Sequence, residues 1–287
     1  MKSAEVKRMA SQAIEELAWA LDDGHSESLT AYLAMLGRFH RYSLGNVILI
    51  VLQRSDATRV AGYRTWQRLG RQVKQGERAI RILAPITYRK RKRREVREDK
   101  AEQRDDETDK VLAFKSAAVF DVSQTDGEPL AEFARVSGDP AEHLSRLKDL
   151  AASRGIGLEY TNRIGSAQGA SAGGKIFLRE DMAPAEEFST LVHELAHEAI
   201  HQGKTERSKT VRETEAEAVA FVVCQAIGLE CGTASSDYMQ LYQGSKTTLL
   251  ESLERIRGTA GEIIEAVVSE REQETGQGTQ QEALAAA

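Results

Sequence analysis

The segment that most constrains the fold is LVHELAHEAIH, residues 191–201. His193 and His197 lie four residues apart, so on a helix they share one face and both rings can reach a single metal ion. Glu194 lies beside them, where it can deprotonate the attacking water of a hydrolytic reaction. Apolar residues at helical spacing would bury one side of this helix: Phe188, Leu191, Val192, Leu195 and Ala199. The pattern predicts a zinc-binding helix of the metallopeptidase type over about 184–202.

A third ligand is expected from the next helix, because catalytic zinc sites use three protein ligands. The helix predicted over about 211–227 carries Glu213, Glu215 and Glu217. Glu213 and Glu217 share a face one turn apart, whereas Glu215 points roughly the opposite way. We expect Glu213 to be the ligand and Glu217 to accept the second ring N–H of a ligand histidine. Glu215 is the main alternative ligand, and the three glutamates also fit a simple complement to the helix dipole.

Charge divides the chain into a basic and an acidic half, although the net charge is only −5. Residues 1–130 hold 24 Lys and Arg against 19 Asp and Glu, and residues 131–287 hold 15 against 25. A basic half can neutralise phosphates, but solubility alone also produces such asymmetry. The apolar run Val47–Leu52 is too short to cross a bilayer. With no leader pattern, and with Cys224 and Cys231 interpreted as buried thiols, we expect a cytoplasmic protein without membrane contact.

The order of the predicted elements indicates an α+β chain of two domains. The first domain is predicted over 1–130, with helices near 3–21, 26–39 and 43–52 and two paired strands at 78–85 and 112–122. A mobile charged insertion at about 88–110 separates these strands and is equally compatible with a nucleic-acid-binding arm and a solvated loop. A linker at 131–139 leads to the second, zincin-like domain over 140–274, and a disordered tail covers 275–287. Within the second domain, the elements predicted are helices at 140–154 and 246–270, strands at 157–161 and 175–179, and a flexible loop at 164–174.

Aromatic residues among cations mark the stretch 59–85. Tyr63 and Trp66 lie within a run of basic residues: Arg64, Arg68, Arg71, Lys74 and Arg81. Single-stranded nucleic acid is bound in this way, since bases stack on aromatic rings and phosphates need neutralising. Trp66 fits the role of a core anchor equally well.

Several of these segments together resemble a known family. YSLGNVILIVLQR (42–54), VAGYRTWQRLGRQVKQGERAIRILAP (60–85) and VFDVSQTDG (119–127) resemble the N-terminal DNA-binding domain of ArdC-like antirestriction proteins. HELAH followed by ETEAEAVAFVVCQAIGL resembles the zinc metallopeptidase-like domain of the same proteins, which is related to the ImmA/IrrE type. In that resemblance the order Glu213, Ala216, Glu217 supports Glu213 as the ligand.

The resemblance implies a protein of a plasmid or other mobile element that binds single-stranded DNA without sequence preference and shields incoming DNA from restriction. Family positions map onto six residues here: Ser43, Asn46, Trp66, Gly70, Lys74 and Gly76. Together with the basic stretch, this gives the expected DNA-binding set of Ser43, Asn46, Arg64, Trp66, Arg71, Lys74 and Arg81. The alternative function is an active zinc metallopeptidase that cleaves a specific regulatory or restriction protein.

Overall fold

The computed structural model describes residues 2–23, 26–88, 110–127, 140–200, 207–229, 238–242 and 245–268. The predicted linker, the predicted tail and all but the ends of the predicted charged insertion lie outside these residues. The domain boundaries given above therefore stay a prediction.

Three helices open the chain, as predicted, and they are α1 (Ser3–Asp22), α2 (Ser26–Arg38) and α3 (Leu44–Gln53). Ser43 precedes α3 in an extended conformation, and its carbonyl oxygen accepts from the N–H groups of Asn46 and Val47 at 2.9 and 3.0 Å. The Ser43 side chain makes no capping hydrogen bond, so this hydroxyl is not committed to the helix end. Four consecutive apolar residues of α3, Val47 to Ile50, are buried in the core, whereas Leu52 near its end is exposed.

The sheet of the N-terminal half is antiparallel. Its elements are β1 (Val60–Gly62), α4 (Tyr63–Arg68), β2 (Arg71–Val73), β3 (Ile80–Tyr88), β4 (Lys110–Asp121) and β5 (Thr125–Gly127). The predicted pairing of the two long strands is confirmed, with β3 against β4 from Ile80↔Val119 to Tyr88↔Lys110. Strand β1 covers the other edge of β4, and β2 pairs with β5 as a separate two-stranded ribbon. The short elements β1, α4, β2 and β5 have too few residues to show a period, so the sequence did not predict them.

The C-terminal half combines a three-stranded sheet with longer helices, of which α6 packs on the sheet. The elements are α5 (Pro140–Ser153), β6 (Gly157–Tyr160), β7 (Gly169–Ser171), β8 (Lys175–Leu178), α6 (Pro184–Ile200), α7 (Lys209–Ala226) and α8 (Lys246–Val267). Strand β8 is central, parallel to β6 and antiparallel to β7. The prediction of a flexible loop over 164–174 is wrong in part, because β7 lies inside it.

Both halves contribute to one continuous cluster of buried apolar residues. Helix α2 packs directly on α7, since a Cβ added at Gly37 would lie 2.7 Å from the carbonyl oxygen of Val222.

The α+β class is as predicted. Cys224 is buried as expected but is disulfide-bonded, so the prediction of a free thiol there is wrong. Within the described part of the chain, none of the helices combines the length and the hydropathy needed to span a bilayer.

Candidate metal centre and DNA-contacting residues

Helices α6 and α7 bring three potential metal ligands together. His193 and His197 project from one face of α6, and their Nε2 atoms lie 3.0 Å apart. The Oε2 atom of Glu213 on α7 lies 3.6 Å from the first of these nitrogens and 3.3 Å from the second. Two atoms bound tetrahedrally to one ion at about 2.1 Å lie about 3.4 Å from each other. The three side chains therefore have the spacing of a shared metal ion, and their donor types suit zinc and similar divalent ions.

Burial prepares the His193 ring for this role. The His193 and His197 side chains are 23% and 15% exposed, whereas Glu213 is 46% exposed, so the cluster opens to solvent on the carboxylate side. Burial, and then the neighbouring His197 ring, lower the pKa of His193. The ring is therefore neutral at pH 7, which is the state in which imidazole binds a metal.

Glu194 is the buried carboxylate next to the cluster, with a residue exposure of 6%. Burial raises its pKa to about 7, and hydrogen bonds from Ser171 act in the opposite direction. A carboxyl group with a pKa near the working pH can both accept and donate a proton. The position predicted for a general base thus has the electrostatic environment that such a group needs.

Strand β7 forms a wall of the site beside Glu194. A Cβ added at Gly169 would lie 2.7 Å from Thr190 Cγ2 and 2.9 Å from Glu194 Cγ, so β7 packs against α6 without room for a side chain. The turn after β7 is bound to α6 as well: the N–H groups of Gly173 and Gly174 donate to the two carboxylate oxygens of Glu198 at 2.9 and 2.7 Å. Both glycines have positive φ, and such successive N–H groups form a concave anion site.

Glu198 was missed by the sequence analysis. Its carboxylate fastens the turn after β7 to the same helix that carries the metal ligands, and thereby holds Ser171 near Glu194. The spacing could have revealed it, because Glu198 lies one helical turn after Glu194 and so faces the same side.

The other two glutamates of α7 have different surroundings. Glu217 is half-buried, and among the described residues it makes no hydrogen bond to either histidine. Glu215 is fully buried on the opposite side of the helix, where it accepts hydrogen bonds from Arg207, Arg255 and Ser252. The structure thus brings Glu213 to the histidines and leaves Glu215 in an ion-pair cluster with α8.

Two residues expected to contact DNA are inside the protein. The Trp66 side chain is fully buried, and its indole N–H donates to the Phe120 carbonyl oxygen at 2.9 Å. The Asn46 amide is also buried and exchanges hydrogen bonds with the main chain of Leu83 at 2.9 and 2.8 Å. In this conformation both side chains hold strands in place and offer no surface to a nucleic acid.

The remaining residues of the set differ in accessibility. Ser43, Arg64 and Lys74 are exposed, whereas Arg71 and Arg81 are half-buried. The Arg71 guanidinium donates to the hydroxyl and the carbonyl oxygen of Thr125 at 2.7 and 2.9 Å, which fixes it along the β2–β5 ribbon.

The two glycines that the resemblance mapped have a backbone role. Gly70 and Gly76 flank β2 with φ of 71° and 88°, a backbone region that residues other than glycine avoid. Both turns of the ribbon therefore depend on glycine.

Comparisons with known proteins agree with the N-terminal resemblance. The family model for the N-terminal domain of anti-restriction factor ArdC matches residues 5–120. The Mn(II)-bound crystal structure of antirestriction ArdC protein from R388 plasmid is similar in fold, with a TM-score of 0.53 and 16% identity, covering 91% of this chain and 99% of that chain. An uncharacterized protein of Bacillus anthracis, pXO2-81, is 24% identical over 84% of this chain. The chain spans about half the length of that curated relative, 48%.

Proposed function

We propose that this ArdC-like chain is an antirestriction protein that binds single-stranded DNA without sequence preference. The reason is that its residues 5–120 match the family model for the ArdC N-terminal domain. The family match to residues 5–120 is the single observation that carries this proposal. Coating an incoming single strand would deny restriction enzymes the duplex they cut. We infer that its gene is carried by a plasmid or a related mobile element.

The exposed cations of the N-terminal half support this function. Arg64 and Lys74 are accessible to phosphates, and the Ser43 hydroxyl is exposed next to α3. Arg71 and Arg81 contribute charge close to the surface, whereas Trp66 and Asn46 act by holding the strands that display it. Binding by such cations releases counterions, so it weakens as salt rises.

We further propose that His193, His197 and Glu213 hold a divalent metal ion. Two imidazoles and one carboxylate form a common ligand set for zinc, and the same donors accept manganese. The Mn(II) ion of the R388 plasmid ArdC structure supports a divalent ion in this fold. When bound, such an ion supplies Lewis-acid polarisation of a substrate carbonyl.

An active metallopeptidase is the second candidate function. Its support is Glu194, which a purely structural metal site does not need. Glu194 is buried beside the ligands with a pKa of about 7, so it can accept a proton from the attacking water and pass it to the leaving nitrogen. The substrate would be a specific protein, such as a regulatory or restriction component.

One titration tests the primary proposal. Labelled single-stranded and duplex oligonucleotides are titrated with the full chain at low and moderate salt, and the metal content is assayed on the same sample. We expect salt-sensitive binding with a preference for single strands. Failure of both oligonucleotides to bind at low salt would refute the DNA-binding function.

The variant Glu194→Gln separates the two functions. If protection from restriction survives this change while the metal is retained, antirestriction does not need peptidase chemistry. If protection is lost while DNA binding and metal content are unchanged, the peptidase function is favoured. A matched control is Glu186→Gln, which removes a carboxylate from the exposed first turn of the same helix.

A further inference from the structure

The two aromatic residues of α4 have opposite surroundings. Trp66 is buried completely, whereas Tyr63, at the start of the same helix, is 43% exposed. The Tyr63 ring borders an open groove of about 580 Å³, within the roughly 300–1,000 Å³ range of small-molecule sites. The exposed tyrosine, rather than the tryptophan, is thus available to a ligand.

The β2–β5 ribbon supplies the polar side of this groove. Gln72 lies opposite Asp126 in the register of the ribbon, and Lys74 follows on the same face as Gln72. The Gln72 amide donates to the Tyr63 hydroxyl, which fixes the orientation of the ring. The Lys74 ammonium is held at the rim by the Ser123 carbonyl oxygen at 3.0 Å and by Asp126 at 3.6 Å.

Phe120 of β4 lines the groove as a second aromatic residue. Its main chain is fixed twice, by pairing with Ala61 of β1 and by the hydrogen bond from the buried Trp66 indole. Trp66 therefore holds the main chain of Phe120 in place but does not itself line the groove. An aromatic surface edged by an amide, an ammonium and the two carboxylates of Asp126 and Glu77 has the chemistry to stack on a nucleobase and to hydrogen-bond its polar edge.

We propose that this groove, the Tyr63 groove, binds one base of a single DNA strand. The base stacks on the Tyr63 ring, its polar edge faces Gln72 and Asp126, and Lys74 neutralises a flanking phosphate. This inference rests on the proposed single-stranded DNA binding and adds a defined contact for the bases. Lys74 pairs with Asp126 at 3.6 Å in the free protein, and a phosphate would replace Asp126 as the partner of the ammonium when the strand binds.

The test compares two probes on the full chain. Labelled oligothymidylate carries bases, and an abasic oligonucleotide of equal length carries the same phosphates without them. We expect Tyr63→Ala to bind oligothymidylate roughly ten-fold more weakly than the wild type, as is typical of base–aromatic stacking. We expect no change for the abasic strand, and no change in the slope of log K against log salt, because no cation is removed.

Two further variants make the result specific. Tyr63→Phe keeps the ring and should retain most of the affinity for oligothymidylate. Tyr160→Ala removes a tyrosine of similar exposure, 42%, from the C-terminal half and should leave both affinities unchanged. If Tyr63→Ala binds oligothymidylate as tightly as the wild type, or weakens both probes equally, the base-binding groove is refuted. If the wild type binds neither probe, the proposed DNA-binding function itself fails.

Discussion

The metal-ligand cluster and the Tyr63 groove differ in how far their side chains are exposed to water. At the cluster, the two rings and Glu194 are largely withdrawn from water, so burial shifts the pKa values of His193 and Glu194 and each lost partner is costly. At the groove, Tyr63 and the polar side chains of Gln72, Lys74 and Asp126 are exposed, and their interactions compete with water and salt. Substitutions in the first region should therefore change metal affinity and stability strongly. Substitutions in the second should change affinity for DNA modestly and in a salt-dependent way.

The largest effect is expected at a metal ligand. Structural zinc sites bind with roughly 10–16 kcal/mol, so the loss of one of three ligands should cost on the order of 4 kcal/mol, about a thousand-fold in affinity. His197→Ala should therefore abolish measurable binding of zinc and manganese in competition with a chromophoric chelator. Glu217→Gln is the control, because Glu217 does not bond to the histidines here, and it should change affinity only a few-fold. Unchanged metal binding by His197→Ala would show that His197 is not a metal ligand.

The opposite face of α7 should show the next largest effect. Glu215→Gln removes the buried carboxylate that pairs with Arg207 and Arg255, and the loss of hydrogen bonds to a charged group costs about 1.5–3 kcal/mol. Urea unfolding of the metal-free protein measures the change. The matched control is Glu251→Gln, because Glu251 pairs with the same two arginines but its side chain is 57% exposed. We expect it to cost less than about 1 kcal/mol. Equal losses of unfolding free energy in the two variants would show that the contribution of a carboxylate to this ion-pair cluster does not depend on its burial.

Glu194 should give the protein a characteristic pH dependence. Its folded-state pKa is about 7, raised by burial from an ordinary 4.5. Between these values the folded state holds a proton that the unfolded state has released, so stability contributed by Glu194 is lost as the pH rises through this window. The free energy of unfolding of the metal-free wild type, relative to Glu194→Gln, should fall by about 1–3 kcal/mol from pH 4.5 to pH 7. A flat or rising difference would mean that Glu194 is not held in a desolvated environment.

The smallest effect is expected at an exposed cation of the groove. Lys74→Ala should weaken single-stranded DNA binding by about 1 kcal/mol and lower the slope of log K against log salt by about one. Anisotropy titrations over a range of salt concentrations measure both quantities. Lys209→Ala, at the exposed start of α7, is the control and should leave the slope unchanged. A large, salt-independent loss for Lys74→Ala would indicate that the groove is not an exposed electrostatic surface.

Local sequence patterns were sufficient to predict much of the structure of this protein. Residues four apart on a helix share a face whatever the rest of the fold does, so HELAH alone placed the two histidines and Glu194 together. The same geometry separated Glu213 from Glu215, and the strand patterns near 78–85 and 112–122 were long enough to reveal their pairing. The α+β class follows from these elements.

Tertiary structure alone decided which side chains lie inside and which contacts join distant segments. The sequence shows Tyr63 and Trp66 as equal aromatics among cations, and only the packing of β4 against α4 buries the indole and leaves the phenol exposed. The hydrogen bonds of Glu198 to the glycine turn depend on β7, a strand too short to have a period of its own. The burial that raises the pKa of Glu194 likewise comes from neighbouring elements rather than from its own helix, because desolvation is a property of the surroundings and not of the residue.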